Sequence, residues 1–177
     1  MDKTTKFPIS LSGYEIEGLI GTDAPRLAPL YKACSDYIEL EHGQPPDPAS
    51  ASEEFENFPP SRTEADKFVF GLRAADDGQL VGLLACDRDY PSVGCWWIAL
   101  LMIDKALRGR GLARALCDGL FTWLKSQHVQ RVELGVITEN VQALGFWQAR
   151  GFEPIRMAGP VSIGAKQHMV QVFGRSL

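Results

Sequence analysis

At 177 residues the chain fits the size of one compact domain, about 150 residues being usual, so residues 1–177 are expected to form a single unit. Hydrophobic residues at 45% against 23% charged exclude a disordered or fibrous chain. The net charge of -4 lacks the basic excess that a nucleic-acid backbone or an anionic membrane would select, so neither is expected as a partner.

Met1–Ser10 carries charges with no apolar stretch behind them, so no signal peptide is expected. Tyr14–Ile20 suits a short first strand. Thr22 or Asp23 caps a helix, with Pro25 tolerated in its first turn. Leu27, Leu30, Tyr31, Cys34 and Ile38 then recur along one helical face, predicting a helix to about Glu41. Gly43–Pro48 breaks that period with three prolines, and Pro59-Pro60 breaks it again. Between them Ser50-x-x-Glu53 resembles a capping box opening a short helix through Phe58. Gly43–Asp66 is therefore expected as a structured excursion, since Phe55 and Phe58 need cover, and long excursions are often functional.

Phe68–Ala74 and Leu80–Asp87 read as strands around the turn Asp76-Asp77-Gly78. Cys95–Ile103 is apolar on both faces, the pattern of a central strand covered from both sides. It is the longest apolar run and far shorter than the roughly 20 residues of a membrane helix. Leu112, Ala115, Leu116, Leu120, Trp123 and Leu124 mark a helix. A strand at Arg131–Ile137, a helix at Val141–Ala149, and closing strands at Glu153–Met157 and His168–Phe173 follow. The order β-α-α-β-β-β-α-β-α-β-β predicts an α/β (α+β) fold, a mixed, mostly antiparallel central sheet with helices on both faces.

Cys34, Cys86, Cys95 and Cys117 form no C-x-x-C pair, and three of them sit in apolar segments. Buried reduced thiols in a cytoplasmic protein fit better than disulfides or zinc. His42, His128 and His168 are scattered, so no metal site is expected.

The chemistry concentrates where the central strand ends. Gly109 and Gly111 leave backbone N–H groups unobstructed at the start of the next helix, whose N-terminus favours a phosphate or pyrophosphate. Arg108, Arg110 and Arg114 add cations able to pair with phosphate oxygens. A dinucleotide fingerprint would need glycine or alanine where Arg114 stands, and a Walker loop needs a G-K-[ST] that is absent. Arg108-x-x-Gly111-x-Ala113 instead resembles the acyl-CoA pyrophosphate motif of the GCN5-related N-acetyltransferase (GNAT) superfamily. Asn140-x-x-Ala143-x-x-x-Trp147-x-x-x-Gly151-Phe152 is similar to its second motif, in which tyrosine usually occupies the Trp147 position. The likeness is close from Leu83 to Phe173, and from Tyr14 to Ala74 it extends only to the order of elements.

The resemblance implies an N-acetyltransferase with acetyl-CoA as acyl donor and no metal. Main-chain groups of Leu101, Met102 and Ile103 would bind the pantetheine arm where the central strand splays from its parallel neighbour. Gly109, Arg110, Gly111, Leu112, Ala113 and Arg114 would surround the pyrophosphate with Arg108, and the backbone at Leu101 would stabilise the oxyanion. Asn140 would hold the arm, or simply cap a helix, and Phe146 and Trp147 would line the thiol end, with core packing an equal prospect for Phe146. Trp147 departs from that pattern: an indole cannot protonate the leaving thiolate at neutral pH, but a thiol of pKa about 8.5 leaves readily, so turnover without a dedicated acid is expected.

The central strand offers no carboxylate as a base. Glu41 and Glu39 are the preferred candidates, with Asp36, Tyr90 and Glu133 behind them. Of Trp96 and Trp97, which face opposite ways, one is expected in the core and the other against the acceptor. His168 faces either the acceptor or the core. The expected partner is a small-molecule amine, acting on a monomer or homodimer, and the acidic stretch from Asp36 to Glu56 would favour a cationic one. A peptide or protein amine, or a CoA-binding module without turnover, are the alternatives.

Overall fold

The computed structural model describes residues 9, 11–47 and 49–177, so Pro48 and the Met1–Ser10 segment apart from Ile9 lie outside the described residues. Seven strands form one sheet: β1 (Tyr14–Leu19), β2 (Lys67–Ala74), β3 (Leu80–Asp87), β4 (Cys95–Ile103), β5 (Arg131–Ile137), β6 (Glu153–Ile163) and β7 (Lys166–Ser176). Their order across the sheet is β1-β2-β3-β4-β5-β7-β6, and only β4 and β5 run parallel. Helices cover both faces. On one side α4 (Leu112–Ser126) and α5 (Val141–Ala149) pack on Phe68, Phe70, Trp96, Ile98 and Phe173. On the other, α1 (Ala24–Ala33), α2 (Ser35–His42) and α3 (Ser50–Glu56) pack on Leu19, Val69, Leu83, Ala85 and Met102. The mixed, mostly antiparallel architecture expected from the sequence is the one observed.

The helix predicted to run unbroken to Glu41 is two. Cys34 leaves helical geometry at φ -106° and ψ 21°, and its thiol donates to the Ile103 carbonyl at 3.2 Å. Pro29 has already removed one backbone donor from α1, and Ser35 and Asp36 are residue types that favour starting a helix over continuing one. The capping box at Ser50 does not form either. Ser50 is the first helical residue, Ala49 occupies the cap, and the Ser50 hydroxyl turns back to accept from the Asp47 amide. That helix ends at Glu56, short of Phe58.

Strands β6 and β7 are longer than predicted, 11 residues each. Pro160 lies in the part of β6 that the sequence did not predict, on an edge strand where proline costs no ladder bond to a second neighbour. The tip of this hairpin reaches back to the end of α2. Lys166 Nζ donates to the carbonyls of Glu39 at 3.0 Å and Leu40 at 2.9 Å, and the Ala165 amide donates to His42 at 2.9 Å. Nε2–H of His168 donates to the Glu41 carbonyl at 2.8 Å. Side chains and main chain of the hairpin thus satisfy the last carbonyls of α2.

Strand β4 carries a bulge. Ala85 pairs with Leu100 and Cys86 with Ile98, leaving Ala99 unopposed. The extra residue reverses the alternation of side chains: Trp96 and Ile98 face the α4 layer before it, whereas Leu101 and Ile103 do so after it. The expected cover on both faces therefore fails in the middle of the strand, where Ala99 is exposed and Leu100 and Leu101 are half-buried. Pairing with β5 stops at Ile98, and a gap opens beyond it.

Gly164 tests the seam between hairpin and helix. Its φ is +56°, and a Cβ there would stand 2.6 Å from the His42 carbonyl oxygen. Gly164→Ala is expected to cost roughly 1–3 kcal/mol in urea unfolding. A loss below about 0.5 kcal/mol, the size of an ordinary surface change, would contradict the docking of hairpin on helix.

Candidate functional site

Two cavities meet at the bulge. The first, a groove of about 290 Å³, follows the gap between β4 and β5 from Arg108 and Ala113 to Asn140 and Phe146. The second, about 380 Å³, lies on the α1–α3 side and is bounded by Glu53, Glu54, Lys67 and Asp87. Tyr37, Glu41, Ala99, Leu100 and Met102 border both.

At one end of the groove stands the glycine turn. Gly109 and Gly111 have φ of +78° and +84°, a conformation that favours glycine, and a Cβ at either would meet nothing within 4 Å. Helix α4 begins immediately after Gly111 without a side-chain cap, so its first-turn amides point outward without intrahelical partners. Leu112 is buried in the core, leaving only its main chain for a ligand. Along the groove wall, Leu101, Met102 and Ile103 lie beyond the last β5 pairing, where the Ile103 carbonyl already accepts from the Cys34 thiol and Arg108 Nε. The residues present therefore fit a diphosphate followed by an extended, amide-bearing arm.

The arginines divide their work differently from expectation. Arg108 is engaged within the chain at the surface: its guanidinium grips Asp36 through two hydrogen bonds of 2.7 and 3.1 Å, and Nε donates to the Ile103 carbonyl at 3.0 Å. That partner holds the Asp36 carboxyl below its ordinary range. Arg108 thus fastens the glycine turn to α2 while still bordering the groove, and Asp36 is held in that pair. Arg114 has a loose contact of 3.6 Å to Asp118 one turn on, and Arg110 is exposed.

Asn140 caps α5, its Oδ1 accepting from the Ala143 amide at 3.1 Å, while the residue also lines the groove. Phe146 borders the groove, and Trp147, 5% exposed, packs edge-on against Phe146 and Phe152 at 5.0 and 5.1 Å.

Of the carboxylate candidates, only Glu41 reaches the junction of the cavities. It sits one turn after Tyr37 on the same face of α2. Burial raises the Glu41 carboxyl above the usual range, and the Tyr37 hydroxyl beside it opposes the rise. Tyr37 itself is pushed well up by burial and stays a phenol. Glu39 is exposed on another face of the helix and borders neither cavity. Glu133 is paired with Arg131 at 2.7 Å, and Tyr90 packs edge-on against Trp97 at 5.6 Å, so both are also set aside. Trp96 is the core residue as expected, but Trp97 faces Tyr90 and Gly135 and walls neither cavity. His168 is structural, 3% exposed and bound to the α2 carbonyl.

Burial pushes the Cys95 thiol up to about 11 and Cys117 to about 12, and all four cysteines are free and buried. No group of three potential metal ligands occurs among the described residues, and no helix among them is long and apolar enough to cross a membrane. Sequence reasoning missed Tyr37, Lys67 and Asp87, and it included Glu54 only as part of the acidic stretch. Lys67 opens β2 and Asp87 ends β3, where a charge reads as a solvated strand end; the detectable signal was Tyr37 four residues before Glu41.

A model of the Acetyltransferase (GNAT) family matches residues 30–152. A mycothiol acetyltransferase from Beutenbergia cavernae is 36% identical over 80 residues, 45% of this chain and 27% of that protein. N-alpha-acetyltransferase 30 from Schizosaccharomyces pombe is 28% identical over 85 residues, 47% of this chain and 57% of that one. The matches thus span about a quarter and just over half of those relatives' lengths. The crystal structure of an acetyltransferase from Thermus thermophilus superposes with a TM-score of 0.78 at 22% identity, covering 96% of this chain and all of that one (100%).

The buried carboxylates carry a testable cost. Desolvation pushes Asp87 up to about 6 from 3.8, with Lys67 opposing. A carboxyl raised on folding binds more protons in the native state, so it lowers stability as pH rises through that window. Asp87→Asn is expected to gain on the parent by roughly 1.5 kcal/mol between urea titrations at pH 5 and pH 7.5. A pH-independent difference would contradict the buried, unscreened carboxylate.

Proposed function

The chain belongs to the GNAT acetyltransferase family, and from that premise we propose that it transfers an acetyl group from acetyl-CoA to a primary amine by direct attack in a ternary complex. One observation carries the reading: the open groove and the acidic cavity join at the β4 bulge, where Glu41 stands. The donor's diphosphate would rest on the first-turn amides of α4 beside Gly109 and Gly111, with Arg110 and Arg114 at hand. Its arm would follow Leu101, Met102 and Ile103, and Asn140, Phe146 and Trp147 would surround the thiol end. The amine enters from the acidic side.

Glu41 takes the proton that the attacking nitrogen must lose. A lysine-like amine with pKa about 10.4 is neutral in only about four molecules per ten thousand at pH 7, so a base beside it contributes greatly. The new C–N bond forms as main-chain donors around Leu101 hold the oxyanion, and the C–S bond then breaks. The thiolate, with an ordinary pKa near 8.5, leaves without a dedicated acid, consistent with a buried indole at Trp147. The position of Glu41 beside Tyr37 favours turnover over a CoA-binding module. A peptide α-amine is the second reading, supported by the name of the N-alpha-acetyltransferase relative. The enclosure of the acidic cavity by α3 and Ile163 of the hairpin supports a small acceptor. Four buried free thiols fit a reducing compartment, the cytoplasm.

Glu41→Gln is expected to lower kcat/KM for a lysine-like amine by about a hundredfold or more while leaving the Kd for CoA within about twofold. The acid limb of the parent's pH–rate profile, set above the usual glutamate range by burial, should vanish with it. Full activity in the variant would remove Glu41 as the base. For the donor, Gly111→Ala tests backbone strain alone, and Gly111→Glu adds charge at the helix start. Calorimetry should show CoA affinity about tenfold or more weaker in Gly111→Glu than in Gly111→Ala. Equal affinities would move the diphosphate elsewhere.

A further inference from the structure

Beyond the bulge, the acidic cavity ends on charged groups that acyl transfer does not require. Lys67 and Asp87 are partners across β2 and β3. Lys67 Nζ lies 3.0 Å from Glu54 Oε1 and donates to the Asn57 carbonyl at 3.1 Å. The side chains of Lys67 and Glu54 are 6% and 12% exposed, and Asp87 is 2% exposed. One cation thus faces two enclosed carboxylates, with Glu41 and Glu53 on the same cavity wall. Asp87 Oδ1 is buried without a hydrogen-bond partner among the described residues. A bare carboxylate oxygen in such a place is unfavourable unless a donor, best a cationic one, comes to it.

The register along β3 gives the separation of Asp87 from the bulge. The bulge is opposite Ala85 and Cys86, and Asp87 follows Ala85 by two residues on the same face of β3. Two residues of strand cover about 7 Å, which an extended chain of about four or five carbons matches. Building on the acyl transfer proposed above, we propose that the acceptor is a small dication. Its primary amine meets the bulge beside Glu41, and a second ammonium about four or five carbons away binds Asp87 and Glu54. A monoamine of equal length would leave Asp87 Oδ1 bare, and an acceptor with a carboxylate at that end would be repelled.

The test compares 1,4-diaminobutane with 1-aminobutane, first by calorimetry on the whole chain without acyl donor. The diamine should bind at least about tenfold more tightly, and Asp87→Asn should shrink that preference to about threefold or less. The comparison within the parent protein needs no variant, and near-UV circular dichroism checks the fold of Asp87→Asn. Equal affinities for the two amines, or a preference that survives Asp87→Asn, overturns the assignment. Thiol release with each amine should repeat the preference in kcat/KM. CoA binding in the same buffer separates the two levels. If CoA binds and the amines are equivalent, the dication fails and acyl transfer stands. If the diamine binds through Asp87 but CoA does not bind, acyl transfer fails and the acceptor role falls with it.

Discussion

The extra residue at Ala99 is the constraint on which the site depends. A strand has period two, so one unopposed residue exchanges the faces of everything after it. Trp96 and Ile98 anchor the first half of β4 in the α4 layer, and Leu101 and Ile103 anchor the second half there after the exchange. Strand β3 follows β4 through the bulge on one side, so the sheet stays intact. On the other side the parallel ladder with β5 ends at Ile98. The sheet is thereby opened on a single edge, at its centre, while both ends of β4 remain packed. The groove and the acidic cavity share the exposed middle of that strand.

Helix α2 is the second element of the site, and it is held at both ends. Asp36 in its first turn grips Arg108, just ahead of the glycine turn, and the hairpin of β6 and β7 takes the carbonyls of its last turn. The Asp36–Arg108 pair is about one-third exposed on each side chain, so it contributes at most about 1 kcal/mol. Its consequence is positional. With Ile38 in the core and the two ends fixed, Tyr37 and Glu41 are directed to the junction of the cavities. The break at Cys34, whose thiol is tied to the Ile103 carbonyl, separates α2 from α1.

The strands and the amphipathic α4 were legible because their burial follows a simple period: Leu112, Leu116, Leu120 and Leu124 are all buried as predicted. The glycine turn was legible because positive φ at Gly109 and Gly111 leaves a mark in residue type. The commitment of Arg108 was not, since its partner Asp36 is 72 residues away and nothing local distinguishes a phosphate ligand from a strut. The failed capping box at Ser50 shows the same limit at short range, because Asp47 supplied a competing turn. Glu39 and Glu41 were equal in sequence and were separated only by which face of α2 turns to the cleft. Asp87 and Lys67 were invisible because their burial comes from α3 and the excursion that precedes β2.

Hydrogen exchange on the whole chain with and without CoA tests the central claim most directly. Slowed exchange is expected in two separated segments, 100–103 on the open edge of β4 and 111–114 at the start of α4, with little change at β1. Unchanged exchange in both segments under saturating CoA, or protection confined to other parts of the chain, would contradict the opened strand as the donor's binding edge.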